Sequence, residues 1–375
     1  MNKVGQPPVF SPSSDPGWLQ AGPLIITGAT GWLGRNLVRA LAQGLPELPD
    51  LLSPNHTRRI RALVLPGTSQ NLPQNLPGVQ PVEGDLCDPA CCQRLLEDAQ
   101  GGTLFHTAGI IHPKNSRAFF TINVDGTRNL LEAAAKAGIR RAVVVSSNSP
   151  CGVNPHPDHR FDEESPYRPY MNYGRSKMLM ELEARQIAAR SGLEVVLIRA
   201  PWFYGPDQPP RQTLFFKMIR DGRMPIVGSG DNWRSMAYID NLCQGLLLAA
   251  MVPQAANQTY WLADLRPYTM NEIIDTVERL LKDEFQQKCC HRRLLLPGWF
   301  GEVARGLDWG LQTVGLYHQK IHVLSEMNKT IACSVDKACQ ELGYRPVVDL
   351  EEGMRRSLAW VFAQQGGLGE SLCNT

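Results

Sequence analysis

Short apolar runs alternate with segments of helical period through the first half of the chain. Leu24 to Thr27, Ile60 to Leu65, Thr103 to His106, Ala142 to Ser146 and Val195 to Arg199 have strand length and strand composition. Between them, Leu33 to Ala42, Ala90 to Ala99, Val124 to Ala137 and Asn172 to Ala189 place apolar residues at helical spacing. This alternation predicts an α/β fold, a doubly wound parallel sheet covered by helices on both faces. The Pro-rich stretch Leu45 to Pro54 and the segment Pro66 to Gly78 read as loops. After about Pro201 the alternation fades, and Leu295 to Ser325 is aromatic-rich and weakly helical. The expected division is a loose leader over 1–22, a sheet domain over 23–200, a smaller lobe over 201–365 and a tail over 366–375. Some segments of the lobe are expected to return to the sheet.

Composition narrows the function classes. The chain has 375 residues, with 38 Lys and Arg against 36 Asp and Glu, a balance without the electrostatic footprint of a nucleic-acid binder. The apolar run Leu246 to Val252 falls far short of the ~20 residues a membrane span requires. Residues 1–22 lack the apolar stretch of a secretory signal, which points to the cytoplasm. The 10 Cys are scattered without a Cys-x-x-Cys pair, so reduced thiols are expected and a metal site is not.

The sharpest local signal is Gly28-Ala29-Thr30-Gly31-Trp32-Leu33-Gly34, directly after an apolar strand and opening a helix. Glycines allow a tight turn that presents backbone N–H groups to a pyrophosphate, and the helix N-terminus adds partial positive charge. This predicts a dinucleotide site. The end of the second strand, Val64-Leu65-Pro66-Gly67, carries neither the acid that binds a ribose 2′-OH nor an Arg for a 2′-phosphate, so NAD and NADP both stay open. Arg35 and Arg61 are the cations that would meet a 2′-phosphate.

Tyr173 and Lys177 stand four residues apart on one helical face. A neighbouring ammonium lowers a phenol's pKa and makes it a general acid/base suited to a secondary alcohol. Ser147 ends an apolar strand upstream, where its hydroxyl would reach the same oxygen.

Together these motifs resemble the extended short-chain dehydrogenase/reductase family, also called the NAD-dependent epimerase/dehydratases, from Leu24 to about Trp360. Gly28, Gly31 and Gly34 match the family's nucleotide loop, and Gly84-Asp85-Leu86 its adenine-contacting turn. Thr107-Ala108-Gly109 matches the turn after the fourth strand, and Asn123 to Thr127 the central helix. Ser146-Ser147 with Gly152 resembles the catalytic serine segment, and Arg199 to Pro206 the sheet-to-lobe junction. Asp336-Lys337-Ala338, followed by Leu342-Gly343-Tyr344, resembles its C-terminal signature.

The resemblance implies that Tyr173 exchanges the proton, Lys177 lowers its pKa and holds the nicotinamide ribose, Ser147 orients the reacting oxygen and Asn123 supports the site. It implies cofactor contacts at Gly28, Thr30, Gly31, Trp32, Leu33, Gly34, Asp85, Leu86, Thr107, Ala108 and Gly109. It also implies a homodimer. Substrate contacts are expected at Ser149, Tyr204 and Arg234.

Three functions follow. In the family's 4,6-dehydratases an Asp-Glu pair follows the serine-segment hydroxyl; here Asn148 and Ser149 stand there, which argues against elimination. Arg234, within Gly228 to Asn241, resembles the residue that meets a sugar-nucleotide diphosphate, and points to a nucleotide-sugar epimerase or ketoreductase unless it pairs with Asp231 or Asp240. Leu294 to Phe300 with Trp309 and Tyr317 instead suits an apolar alcohol or ketone, as in 3β-hydroxysteroid dehydrogenases and dihydroflavonol reductases. A dinucleotide sensor without turnover is the non-enzymatic alternative.

Overall fold

The structure is a computed structural model that describes residues 22–55 and 58–369. Its centre is a seven-stranded parallel sheet. The strands are β1 (Leu24–Thr27), β2 (Ile60–Val64), β3 (Val79–Glu83), β4 (Thr103–His106), β5 (Arg141–Ser147), β6 (Glu194–Ala200) and, later in the chain, β11 (Thr259–Trp261). Their order is β11-β6-β5-β4-β1-β2-β3. The lobe adds three two-stranded sheets: β7 (Trp202–Tyr204) with β10 (Met236–Tyr238), β8 (Pro225–Val227) with β13 (Leu294–Leu296), and β9 (Trp233–Arg234) with β12 (Tyr268–Thr269).

Helices α1 (Trp32–Gln43), α2 (Pro89–Leu95), α3 (Arg117–Phe120), α4 (Thr127–Lys136) and α5 (Met171–Ser191) connect the first strands. They are followed by α6 (Pro210–Arg220), α7 (Ile239–Met251), α8 (Met270–Asp283), α9 (Trp299–Thr313), α10 (Gln319–Glu326) and α11 (Leu350–Gln365).

Strands β1 and β4 are buried at every position, and β2, β5 and β6 at all but one, as a parallel sheet covered on both faces requires. One hydrophobic cluster joins Leu37 and Leu41 of α1 to Leu246 and Leu247 of α7 on one face of the sheet. A second places Leu130 of α4 and Met180 of α5 against Leu104 and Val144 on the other face. The sheet therefore reads as predicted, with two additions. The edge strand β3 has no buried residue and contains Pro81, so it carries no apolar run to detect. Strand β11 comes from beyond Pro201 and pairs with β6, with Tyr260 opposite Ile198.

Strand order reverses at β1, whose neighbours are β4 and β2. Ligands of open α/β sheets bind in the crevice beyond the carboxyl ends of the strands at such a point. Thr27 and His106 are paired there, at the last positions of β1 and β4. Their side chains bond at 2.6 Å, and the other His106 nitrogen meets Thr127 Oγ1 at 2.8 Å.

Candidate active site

The loop after β1 and the turn after β4 are packed backbone to backbone. Thr107 donates to the Thr27 carbonyl through its backbone N–H at 3.2 Å and its hydroxyl at 2.7 Å. Gly28 has φ of +72°, and a Cβ there would lie 2.6 Å from the Ala108 nitrogen. A Cβ on Gly34 would overlap the Gly28 carbonyl oxygen, so α1 starts against the loop itself. Gly31 begins α1 without a side-chain cap, and the first turn contains no acidic residue. Uncapped N–H groups without a competing carboxylate fit the pyrophosphate of a dinucleotide. Trp32 leans outward to donate to the Pro206 carbonyl at 2.6 Å and pack on Phe203, tying the phosphate loop to the lobe junction.

The three catalytic candidates meet beside this cradle. Ser147 ends β5, and the Tyr173 phenol interacts with its hydroxyl, which holds the phenol's pKa down. Burial outweighs that effect and pushes Tyr173 up to about 12. Lys177 lies one turn along α5 and donates to the Val145 carbonyl at 2.9 Å. Burial pulls Lys177 down to about 8, opposed by the Glu181 carboxylate. The Lys177 ammonium is turned to a backbone oxygen here.

A Cβ on Gly109 would stand 3.5 Å from Lys177 Nζ and 3.3 Å from Asn123 Oδ1, so the turn after β4 presses on both. Asn123 sits in a π-helical turn before α4. It accepts from the Ile110 N–H at 2.8 Å and donates to the Ile110 carbonyl and to Ser176 Oγ, each at 3.1 Å. These bonds join the turn after β4 to α5 through Asn123. The register of α5 is set one turn further on, where buried Glu181 pairs with buried Arg199 of β6 at 2.9 Å.

From the other side the site is closed by α9 and α10. Gln312 Oε1 accepts from the Asn172 N–H at 3.0 Å, at the start of α5. Gln312 also donates to Asp308 Oδ1 at 2.9 Å, and Asp308 Oδ2 meets His322 Nδ1 at 2.7 Å in a buried pair. Although burial opposes it, the carboxylates of Asp308 and Glu326 push His322 up from its ordinary range. Tyr317 bonds His112 Nδ1 at 2.7 Å and meets the Phe119 ring edge-on, and Phe119 packs on Tyr173. Arg211 of α6 interacts electrostatically with Tyr173, His112 and Tyr317. Of these groups the sequence singles out only Tyr317; Asp308, Gln312 and His322 lie in the same aromatic-rich tract unremarked, and His112, Phe119 and Arg211 lie outside it.

The proposed substrate contacts separate. Ser149 Oγ lies 3.3 Å from Ser147 Oγ, on the side of the candidate catalytic hydroxyl. Arg234 is half-buried and pairs with neither Asp231, which accepts from Asn271 Nδ2, nor Asp240, which burial raises to about 6. Among the described residues its guanidinium makes one hydrogen bond, to the Lys329 carbonyl at 3.5 Å, and Glu326 is the charge that acts on it.

Tyr204 is a correction. It is completely buried, donates to Asp264 Oδ2 at 2.8 Å and meets the Tyr238 ring, so it is a core residue. Asp264, raised to about 7 by burial, needs that donor. Asp85 is exposed and caps the Cys87 N–H, with Leu86 buried beside it at the edge of the same crevice. Arg35 is committed to the Asp207 carbonyl and Arg61 to the carbonyls of Leu95 and Glu97, which removes both as ready 2′-phosphate partners. Cysteines 87, 91, 92, 151, 243, 289, 333 and 339 are free as expected, but Cys290 is disulfide-bonded.

The comparison with known proteins follows the same geometry. Residues 24–263 match the model of the NAD dependent epimerase/dehydratase family. The chain belongs to that family. It is 54% identical to uncharacterized protein y4nL of Sinorhizobium fredii, over 91% of this chain and 96% of that one. It is 29% identical to human 3 beta-hydroxysteroid dehydrogenase type 7, again over 91% and 96%. Among solved structures it is similar to DesIV, a dTDP-glucose 4,6-dehydratase from Streptomyces venezuelae with NAD and TYD bound. There the TM-score is 0.69 at 26% identity, covering 92% of this chain and 98% of that one. The site thus lies in an extended short-chain dehydrogenase/reductase scaffold of an NAD-dependent family.

Proposed function

We propose that this family member transfers hydride at a secondary alcohol or ketone of a nucleotide-sugar, as an epimerase or ketoreductase using NAD. The observation that carries the chemistry is the meeting of Tyr173, Ser147 and Lys177 at the carboxyl end of β5, against the Gly28 and Gly109 turns. The nicotinamide, when bound, supplies or accepts the hydride. In reduction the Tyr173 hydroxyl gives its proton to the carbonyl oxygen; in oxidation the phenolate takes it back from the alcohol. Ser147 orients that oxygen. Lys177 holds the ribose and, turned from Val145 toward the phenol, lowers its pKa. The neutral side chains of Asn148 and Ser149 offer no carboxylate for elimination, which sets the reading apart from the dehydratases.

The nucleotide-sugar part rests on Arg234. A half-buried guanidinium with one long hydrogen bond is a cation awaiting an anion, and a diphosphate satisfies its planar fork. The second reading, an apolar alcohol or ketone, is favoured by the Tyr317 and Phe119 rings beside Tyr173 and by the likeness to 3β-hydroxysteroid dehydrogenase.

Mass spectrometry of nucleotide released from the purified protein tests the main reading. Retained NAD supports an epimerase, which must keep the reduced cofactor between two hydride transfers; empty protein that oxidises NADH with ketones supports a reductase. Arg234→Ala then separates the substrates. KM rises about a hundredfold for a nucleotide-sugar, as expected for a lost charged hydrogen-bond pair, and stays unchanged for an apolar ketone.

A further inference from the structure

Helix α9 is patterned inside out. It turns Gly301, Ala304, Asp308 and Gln312 inward, all small or polar. Outward it shows Trp299 (60% exposed), Val303 and Leu307 (57%), with Val314 (71%) just past its end. These positions fall on one stripe. A helix whose outer face meets water carries the opposite arrangement. Leu294 and Leu295 of the neighbouring β13, together with Leu316 and Val323, extend the apolar surface. Of the fifteen large apolar side chains exposed among the described residues, nine lie between 294 and 323, a concentration unlike the single surface hydrophobics of ordinary proteins.

The charges around it have one dominant sign. Between 291 and 329 stand Arg292, Arg293, Arg305, Lys320 and Lys329 against Glu302, Asp308 and Glu326. Asp308 is buried against His322, Glu302 is paired with Arg305 and Lys329, and Arg293 is paired with Asp275 and Glu278, which leaves Arg292 and Lys320 as the cations of this stretch without an acidic partner among the described residues. Arg292 and Lys320 are exposed. The chain as a whole carries a net charge of only +2, so the excess is local. Trp299 and Trp309, both exposed, have the amphipathic ring suited to a headgroup boundary.

We propose that the face formed by Leu294, Leu295, Trp299, Val303 and Leu307 docks on a bilayer surface containing anionic lipid, with α9 lying along the headgroup boundary. The association is peripheral at this face, since no helix among the described residues is long and apolar enough to cross a membrane. A second copy of the chain is the other way to cover such a face. The charge frame favours lipid: a two-fold axis would bring the same arginines of two copies together, whereas anionic headgroups attract them. The inner side of the same hairpin carries Gln312 to the catalytic helix, so docking sets the cap of the site on the lipid surface.

Cosedimentation of the full chain with vesicles tests this, using phosphatidylcholine alone and with about a third phosphatidylglycerol, a surface anionic enough to attract a basic patch. Wild type is expected to sediment with the anionic vesicles. Binding should fall at least about tenfold on phosphatidylcholine alone, in a Trp299→Ser/Leu307→Ser variant and in an Arg292→Glu/Lys320→Glu variant. The substituted side chains are exposed, so circular dichroism should match wild type; Leu295→Ser replaces the first variant if it does not. No binding to either vesicle overturns the proposal, as does equal binding by the variants. So does a wild-type dimer that Trp299→Ser/Leu307→Ser turns into monomers without any vesicle association, which would assign the face to a second copy.

Discussion

Tyr173 is held from two sides by regions of unlike construction. On the sheet side the turns are fixed largely through backbone, with Lys177 on the Val145 carbonyl, Thr107 on the Thr27 carbonyl and Gly28 against Ala108, beside buried side-chain pairs such as Thr27 with His106 and Glu181 with Arg199. On the lobe side a chain of side chains, Gln312 to Asp308 and Asp308 to His322, ends on one backbone contact, the Asn172 N–H held by Gln312. The helices that border the site differ in the same way. Helix α1 buries Leu33, Leu37, Val38 and Leu41 and keeps Arg35 and Arg39 toward its outer side, while α9 buries Asp308 and Gln312 and exposes Trp299 and Leu307. Backbone-bonded parts tolerate little added volume and hold a fixed geometry, which reaction chemistry requires. A cap tied by side chains can be loosened one bond at a time without unfolding the sheet, which suits substrate admission.

The largest expected effect separates the two sides at the reacting group itself. Tyr173→Phe removes the proton that the sheet side positions, and kcat should fall about a thousandfold, within the usual range for general acid/base catalysis. The dinucleotide Kd should stay within about twofold, because the phosphate cradle is built from Gly28, Gly31 and Gly34. Isothermal titration with NAD alongside steady-state kinetics checks both. A dinucleotide sensor would instead keep its output in this variant.

A second prediction concerns acid and belongs to the sheet side alone. Burial, helped by the Lys177 charge, lowers His106 to about 3. Its folded pKa therefore lies below the unfolded value near 6.5, and the unfolded chain binds more protons between those limits. Stability from keeping His106 neutral is complete above about pH 6.5 and is lost as pH falls toward 3, on the order of 5 kcal/mol in all. Urea unfolding at several pH values should show that slope. His106→Gln should be less stable at pH 7, yet flatter between pH 6 and 4.

What was legible in the sequence follows the same split. β1 and β4 match their predicted bounds, because short runs with an apolar centre, Leu-Ile-Ile-Thr and Thr-Leu-Phe-His, are set off by turn residues on both sides. Gly28, Gly31 and Gly34 announce the phosphate loop because a Cβ at two of these positions would strike backbone. The same reasoning fails at Tyr204: it sits in a motif at the lobe junction, but its hydroxyl is taken by Asp264, far along the chain. His112, Arg211, Asp308 and Glu326 carry no local pattern: they come from the loop after β4, from α6, from α9 and from α10, and only tertiary packing brings them near Tyr173. Spacing reports contacts within a helix or a turn. Contacts such as Asn172 with Gln312 leave no trace in it.

The smallest expected effect tests the cap directly. Asp308→Asn keeps an oxygen for Gln312 but removes a carboxylate that raises His322. His322 is faced by Asp308 and Glu326, with the rings of Tyr170 and Tyr317 packed against it. Because its folded pKa lies above the unfolded value, the charged pair contributes fully below about pH 6.5 and is lost as pH rises through the folded pKa. In wild type, substrate KM should therefore climb as pH rises through that value, with kcat little changed by the cap. In Asp308→Asn, KM should already be about tenfold higher at pH 6, the scale of one charge-assisted hydrogen bond, and nearly independent of pH beyond it. A fall in kcat matching that of Tyr173→Phe would mean that the cap holds the reacting geometry itself, and the contrast between the two sides of Tyr173 would then fail.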